Sequence, residues 1–271
     1  MLSLLGVTRE RLYSPGRVGD DAAVLHAVAC HLREQGHRVE IADGDADDWP
    51  EPTSETVVFA MCQGPRTLES LLRWQRSGVR VVNPPEGILN CQRHRTVPLL
   101  NGAGVGLPES LMVETGNGVA LPQWIDESGA WIKRGDVHAT ETDDVVRVVD
   151  RNAARDALIR FRARGITAAV VQRHAEGVVL KFYAVRGSFF HCVRPADGTA
   201  LPEAVLRRVD ALGQAAAARL GVEIYGGDCV YGKDGALALI DLNDWPSYRS
   251  CRASAAVAIA DYLRAQKVTR Q

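Results

Sequence analysis

Residues 228–248 read D-C-V-Y-G-K-D-G-A-L-A-L-I-D-L-N-D-W-P-S-Y, and this stretch constrains the architecture most tightly. Cys229-Val230-Tyr231 and Ala236 to Leu242 are apolar runs. The polar, glycine-bearing Gly232-Lys233-Asp234-Gly235 between them has the chemistry of a hairpin turn. Side chains alternate along a strand, so Asp241 and Asn243 point to one sheet face. Asp228, at the head of the first run, is placed to lie beside them. Two or three oxygen donors on one face suit Mg²⁺, which takes one or two protein carboxylates and fills its shell with water and phosphate oxygens. The same residues also suit a plain strand end before an Asp244-Trp245-Pro246 turn, and spacing alone does not separate the two readings.

A different pattern governs the first 85 residues. Leu2 to Val7, Arg38 to Ala42, Val57 to Met61 and Arg80 to Asn83 read as strands, with helices at Ala22 to Gln35 and Pro65 to Ser77. This predicts a β-α-β-α-β-α-β start and a small doubly wound layer. Ligands of such layers sit beyond the carboxyl ends of the strands. Loop 8–21 therefore belongs near a substrate, with Arg9, Arg11 and Arg17 as candidates to meet an anionic one. The loop lacks Gly-x-Gly-x-x-Gly, so a dinucleotide fingerprint is absent. Residues 43–55 are acidic, contain Pro50 and Pro52, and read as a solvated loop.

Further strands are expected at Ser110 to Glu114, Ala130 to Lys133, Val145 to Asp150, Ala168 to Gln172 and on either side of Arg186-Gly187. Helices are expected at Asn152 to Arg164, Leu201 to Leu220 and Ser250 to Gln266. The fold class is thus α/β followed by α+β. A net charge of −1 argues against nucleic acid and anionic membranes as partners. No apolar run nears the roughly 20 residues of a membrane span. Leu2 to Val7 is too short for a signal peptide and lacks a basic start, which predicts a cytoplasmic protein. The six cysteines contain no C-x-x-C pair and read as reduced, packed thiols.

Of the 32 basic residues only Lys133, Lys181, Lys233 and Lys267 are lysines. Where lysine persists against such a bias, a compact ammonium is the natural requirement. Lys133 ends the buried-strand pattern A-W-I-K, from which an ammonium projects off a rigid element. Lys181 lies mid-strand between Leu180 and Phe182, and needs a partner or an anion.

The segment I-D-L-N-D-W-P-S-Y resembles the metal-binding segment of the ATP-grasp superfamily, in which an acid, one spacer and an Asn precede a Pro-containing turn. The Asp-x-Asn form is closest to the inositol tris/tetrakisphosphate kinase-like and RimK-like branches. V-V-N-P-P-E-G-I-L-N-C-Q-R-H-R-T-V-P-L-L-N-G-A-G-V-G-L-P resembles the superfamily's linker. The resemblance spans about residues 80 to 262 and implies an ATP-grasp fold behind a Rossmann-like layer. The implied divisions are an N-terminal domain of residues 1–90, a central lobe of 91–172 and a C-terminal lobe of 173–271, with MgATP between the lobes.

The resemblance also assigns roles. Arg93 and Lys133 reach the nucleotide phosphates, as does His138, five residues after Lys133, although Ala139 stands where the kinases have Gly. A-A-V-V-Q-R-H-A-E-G is the adenine hinge, with backbone groups around Val171, Gln172 and Arg173 and with Glu176 for the ribose. Lys181 and Arg194 face the transferred phosphoryl group. Asp228, Asp241 and Asn243 hold Mg²⁺. A carboxylate acceptor implies a carboxylate–amine ligase, the commoner chemistry of the superfamily. A hydroxyl acceptor implies a kinase of an inositol-phosphate-like polyol, and a non-catalytic ATP-binding protein is the third reading. The partner is a small-molecule substrate in each case; whether the protein is a homodimer stays open.

Overall fold

The apolar runs at the start of the chain form a four-stranded parallel sheet. It comprises β1 (Ser3–Val7), β2 (Arg38–Ala42), β3 (Thr56–Ala60) and β4 (Arg80–Val82), in the order β2-β1-β3-β4. The computed structural model describes residues 1–116, 118–136, 141–193 and 200–266. Helix α1 (Val18–Glu34) buries Val24, Leu25, Val28, Ala29 and Leu32 on one face of this sheet. Helices α2 (Pro65–Arg76) and α3 (Pro85–Asn90) cover the other. Two details differ from the sequence reading. The connection 43–55 between β2 and β3 is a loop, as its composition indicated, so the expected β-α-β-α-β-α-β order loses a helix there. Helix α1 also starts four residues early, because Asp20 and Asp21 sit in its first turn and suit the helix dipole there.

Helix α4 (Arg93–Asn101) leads into a second sheet made of β5 (Ser110–Glu114), β6 (Ala130–Arg134), β7 (Val145–Val148) and β8 (Ala168–Arg173). Its order is β5-β8-β6-β7 and every pairing is antiparallel. The short α5 (Trp124–Ser128) and α6 (Arg151–Ala163) cover one face, with Trp124, Ile125, Leu158 and Phe161 in a shared core. Asp150 caps α6 by accepting a bond from the Ala153 amide.

The third sheet contains β9 (Val178–Val185), β10 (Phe189–Val193), β11 (Ile224–Tyr231) and β12 (Leu237–Asp244), antiparallel in the order β10-β9-β11-β12. Helix α7 (Glu203–Leu220) packs on one face through Val205, Val209, Ala216 and Leu220, joined by Leu100 of α4. It ends at Gly221, whose φ of 80° is the left-handed conformation that glycine adopts freely. The terminal α8 (Arg252–Arg264) bridges this lobe and the first layer. Its Ala255, Ala256, Ile259 and Leu263 share one core with α1, and with Tyr183, Trp245 and Tyr248 from the third sheet and its following turn. The first layer and the last lobe are therefore fastened by common packing. No helix among the described residues is long and apolar enough to cross a membrane.

Candidate active site

In β9, Leu180 and Phe182 face α7, so Lys181 and Tyr183 face the opposite way. The register places Asp228 opposite Lys181 on one side and opposite Asp241 on the other. The three residues thus form one row across β9, β11 and β12. Asn243, two residues past Asp241, shares that face. Asp228 lies in the middle of β11 rather than at the head of a short run, because the strand begins at Ile224 and continues through Gly226 and Gly227. A Cβ on Gly227 would stand 2.7 Å from the Phe182 ring, so the close approach of β9 requires glycine there.

Between Asp228/Asp241 and Cys229/Leu239 the register shifts, which leaves Ile240 as a β-bulge. The extra residue explains why Leu239 and Leu242, three apart, both join the α7 core. It also turns the Ile240 carbonyl toward the second sheet. Lys133, on β6, donates to that carbonyl at 2.7 Å and to Gln172 Oε1 at 2.8 Å. Gln172 in turn donates to Ser110 Oγ at 3.1 Å. Arg93 donates to Asp241 Oδ2 at 2.8 Å and to the Arg134 carbonyl at 3.4 Å. Lys181 Nζ lies 2.6 Å from Asp228 Oδ1. Five predicted residues thus meet at the seam between the second and third sheets, with Asn243 on the same face and Gln172 behind Lys133.

Three cations meet two carboxylates there. Arg93 and Lys133 are buried, while Asp228 and Asp241 retain side-chain exposures of 23% and 19%. Burial pushes the Lys133 ammonium down to about 8; Asp241 opposes that shift and Arg93 reinforces it. The seam encloses a cavity of about 20 Å³ between Arg93, Lys133, Gln172, Ile240 and Asp241. That is far below the roughly 300 Å³ at which small-ligand pockets begin.

The donors suit Mg²⁺: two carboxylates directly opposed, and an amide oxygen on the same face. No group of three or more His, Cys, Asp or Glu side chains able to hold a metal occurs among the described residues. Asn243 lies on the same face as these two carboxylates.

Beyond Asn243 the chain is held by the first layer. Arg9 donates from Nε to the Met61 carbonyl at 3.0 Å and pairs with Asp21 at 3.2 Å. It also donates to the Trp245 carbonyl at 2.8 Å. Gln63 donates to Asp244 Oδ1 at 2.8 Å, and the buried Glu10 accepts from the Gln63 and Gly64 amides and from Thr67. Arg9 is consequently not available to a substrate, contrary to the sequence expectation. The crevice where β1 and β3 diverge is filled by a polar joint to β12. Trp245 and Tyr248 adopt φ of 36° and 48°, unusual for bulky residues, and both are fully buried.

The remaining predicted residues lie outside the row. Arg11 is exposed and pairs with Asp45 at 3.7 Å, and Arg17 is exposed just before α1. Neither reaches the seam residues. Strand β8 is paired on both sides, so the backbone at Val171 and Gln172 is occupied by β5 and β6. The Arg173 amide donates to the Glu109 carbonyl, and its side chain turns to Glu109, Glu127 and Ser128. An adenine hinge at 171–173 is thus not open at the strand itself; the His174 amide still donates to the Gly129 carbonyl, and Glu176 is exposed just beyond. His138 and Arg194 lie outside the described residues. Glu10, Gln63 and Asp244 escaped the sequence reading because their partners are up to 181 residues apart.

Solved structures share this fold over nearly their whole length. The D-alanine–D-alanine ligase from Bacillus anthracis, complexed with ATP, superposes with a TM-score of 0.72 at 11% identity, over 97% of this chain and 96% of that one. The RimK domain protein ATP-grasp from Sphaerobacter thermophilus gives 0.68 at 18%, over 97% and 100%. The ATP-grasp ligase PsnB, complexed with minimal precursor, Mg and ADP, gives 0.67 at 19%, over 98% and 99%. The chain has the ATP-grasp fold. No family model matches the sequence, and none of the curated proteins matches it. The ATP-grasp likeness is therefore carried by the fold.

Proposed function

We propose that the chain is a MgATP-dependent carboxylate–amine ligase. One observation carries this reading: Arg93 and Lys133 converge with Lys181, Asp228 and Asp241 at the seam of two antiparallel sheets. Three cations over two carboxylates give that seam the surplus positive charge a polyphosphate requires. Structures with the same fold contain ATP, or Mg and ADP.

In this reading Lys133 and Arg93 contact the nucleotide phosphates, and the family resemblance adds His138 to them. Gln172 orients Lys133, and the chain from Arg173 to Glu176 borders adenine and ribose. Asp228, Asp241 and Asn243 would hold Mg²⁺, which would neutralise phosphate charge there. A substrate carboxylate oxygen attacks the γ-phosphorus, ADP leaves, and Lys181 with Arg194 faces the charge carried by the phosphoryl oxygens. An amine nitrogen then attacks the acyl carbon, inorganic phosphate leaves with the C–O bond electrons, and the amine proton passes to solvent. The carboxylate partner belongs between loop 8–17 and the third sheet, where Arg11 and Arg17 are the nearest unburied cations in sequence. An amino acid or a peptide fits the company this fold keeps, a D-alanine ligase and a ligase complexed with a precursor peptide.

The test is incubation with MgATP, candidate carboxylates and hydroxylamine, following ADP, phosphate and hydroxamate separately. The ligase reading expects phosphate and hydroxamate in step with ADP. ADP accompanied by a stable phosphomonoester, with no hydroxamate, would replace the ligase by a kinase. Absence of any nucleotide binding would remove both.

A further inference from the structure

We infer that the Trp131–His174 hydrogen bond is a latch on the connection between the second and third sheets, held while the imidazole is neutral and released when the ring takes up a proton. The inference goes beyond the ligase reading and does not depend on what the seam between those sheets binds.

Strand β8 belongs to the second sheet and β9 to the third, so residues 174–177 carry the chain from one to the other. Both ends of this short connection are fixed. At the third-sheet end Gly177 has a φ of 152°, and a Cβ there would stand 2.4 Å from the Tyr231 carbonyl oxygen, so the path requires glycine. At the other end the His174 amide donates to the Gly129 carbonyl. The His174 ring meets β6, where the Trp131 indole N–H donates to Nδ1 at 3.1 Å and the ring centroids lie 6.3 Å apart. Trp131 pairs with Gln172 in the register of β6 and β8, and Gln172 accepts from Lys133. The latch thus closes beside the side chains that line the seam.

Such a bond exists in one protonation state only. An indole N–H donates and cannot accept, so Nδ1 must offer its lone pair, and the neutral ring keeps its proton on Nε2. A second proton turns Nδ1 into a donor that faces another donor, and the bond is lost. Burial holds the imidazole below its ordinary range. Arg147 on β7, the cross-strand neighbour of Trp131, reinforces that shift, and Glu176 on the connection opposes it. Arg173, next in the chain, lies over the Trp124 ring and pairs with Glu109 and Glu127 instead. The ring is therefore neutral at pH 7.5, above the ordinary histidine value of about 6.5, and release belongs to the acid side of that value.

The test uses the full chain labelled with nitrogen-15, as wild type, Trp131→Phe and His174→Asn. The asparagine amide oxygen stands near the place of Nδ1 and does not titrate. Of the five tryptophan indole signals, the one missing from Trp131→Phe belongs to Trp131. In wild type that signal is expected to move upfield between pH 7.5 and pH 5, and in His174→Asn to stay where it is. Amide hydrogen exchange across residues 173–177 is then compared between wild type and His174→Asn at each pH, which removes the intrinsic pH dependence of exchange. Wild type should exchange at about the same rate as the variant at pH 7.5 and about fivefold faster or more at pH 5. Trp131→Phe, which keeps a ring but no donor, should exchange faster than wild type at pH 7.5 and match it at pH 5, and it carries the comparison should His174→Asn not fold. A Trp131 signal that ignores pH would overturn the inference. So would a signal that moves while exchange across 173–177 does not change, because the bond would then fasten nothing.

Discussion

The ammonium of Lys133, near the end of β6, lies 2.7 Å from the carbonyl of Ile240, the residue that the bulge leaves outside the register of β11. A regular β12 would offer no such acceptor at this point, since an irregularity is what re-aims the group. The bulge therefore does two things at once. It keeps Leu239 and Leu242 on the α7 core, and it gives a buried cation from another sheet a partner while Asp241 and Asn243 stay on the opposite face.

Asp241→Asn and Asn243→Ala should each weaken Mg²⁺-dependent nucleotide binding by at least about 100-fold, since even outer-shell changes at metal sites cost 10–100-fold. Neither side chain contributes to a hydrophobic core. Binding of ADP in the presence of a chelator should stay near the wild-type value, and the unfolding midpoint should move little in Asn243→Ala, whereas Asp241→Asn also takes the carboxylate from the buried Arg93 and should lower it. Wild-type Mg²⁺ dependence in both variants would make this hairpin purely structural.

For stability, Arg9 is expected to behave as a joint, whereas Arg11 and Arg17 carry little of it. Arg9→Met leaves Asp21, with 4% side-chain exposure, as a buried carboxylate without its guanidinium. Breaking one side of such a pair costs about 3–5 kcal/mol, against a total of about 5–15 for a typical domain. Arg11→Ala and Arg17→Ala remove exposed charges and should stay within about 0.5 kcal/mol. Urea unfolding of the three variants decides it, and an Arg9→Met as stable as Arg11→Ala would show that the joint carries no stability.

Much of the site was readable because strand chemistry is local. Alternation alone placed Asp241 and Asn243 together, and the scarcity of lysine pointed to two residues of the row. Lys133 and Lys181 both line the seam, while Lys233 is exposed in the hairpin turn. What periodicity could not supply is long-range. Arg9 was read as a substrate residue because its loop leaves the carboxyl end of β1; its real partners, Asp244 and Trp245, come 235 and 236 residues later. The docking of α8 between α1 and the third sheet is equally invisible to a local pattern. Nor does composition reveal that β8 lies inside its sheet, which closes the backbone at Val171 and Gln172 to a base.

The last expectation concerns pH. Burial lowers Lys133 to about 8, whereas an unfolded lysine titrates near 10.4. Between those values the unfolded chain holds a proton that the folded chain has released. Stability therefore carries a penalty from this group that is fully present below about pH 8 and is relieved as pH rises toward about 10. For nucleotide binding the sign is opposite. A phosphate beside the ammonium favours its charged form, so above pH 8 binding must take up a proton, and affinity for MgADP should fall by up to about tenfold per pH unit. Lys133→Met should lower affinity about tenfold at pH 7 and flatten that fall. Lys133→Arg, which keeps its charge throughout this range, should keep affinity level to about pH 10. Calorimetric titrations at pH 6.5, 7.5, 8.5 and 9.5 measure all three profiles. A Lys133→Met profile that falls above pH 8 as steeply as wild type would assign the titration to another group and remove Lys133 from the phosphate site.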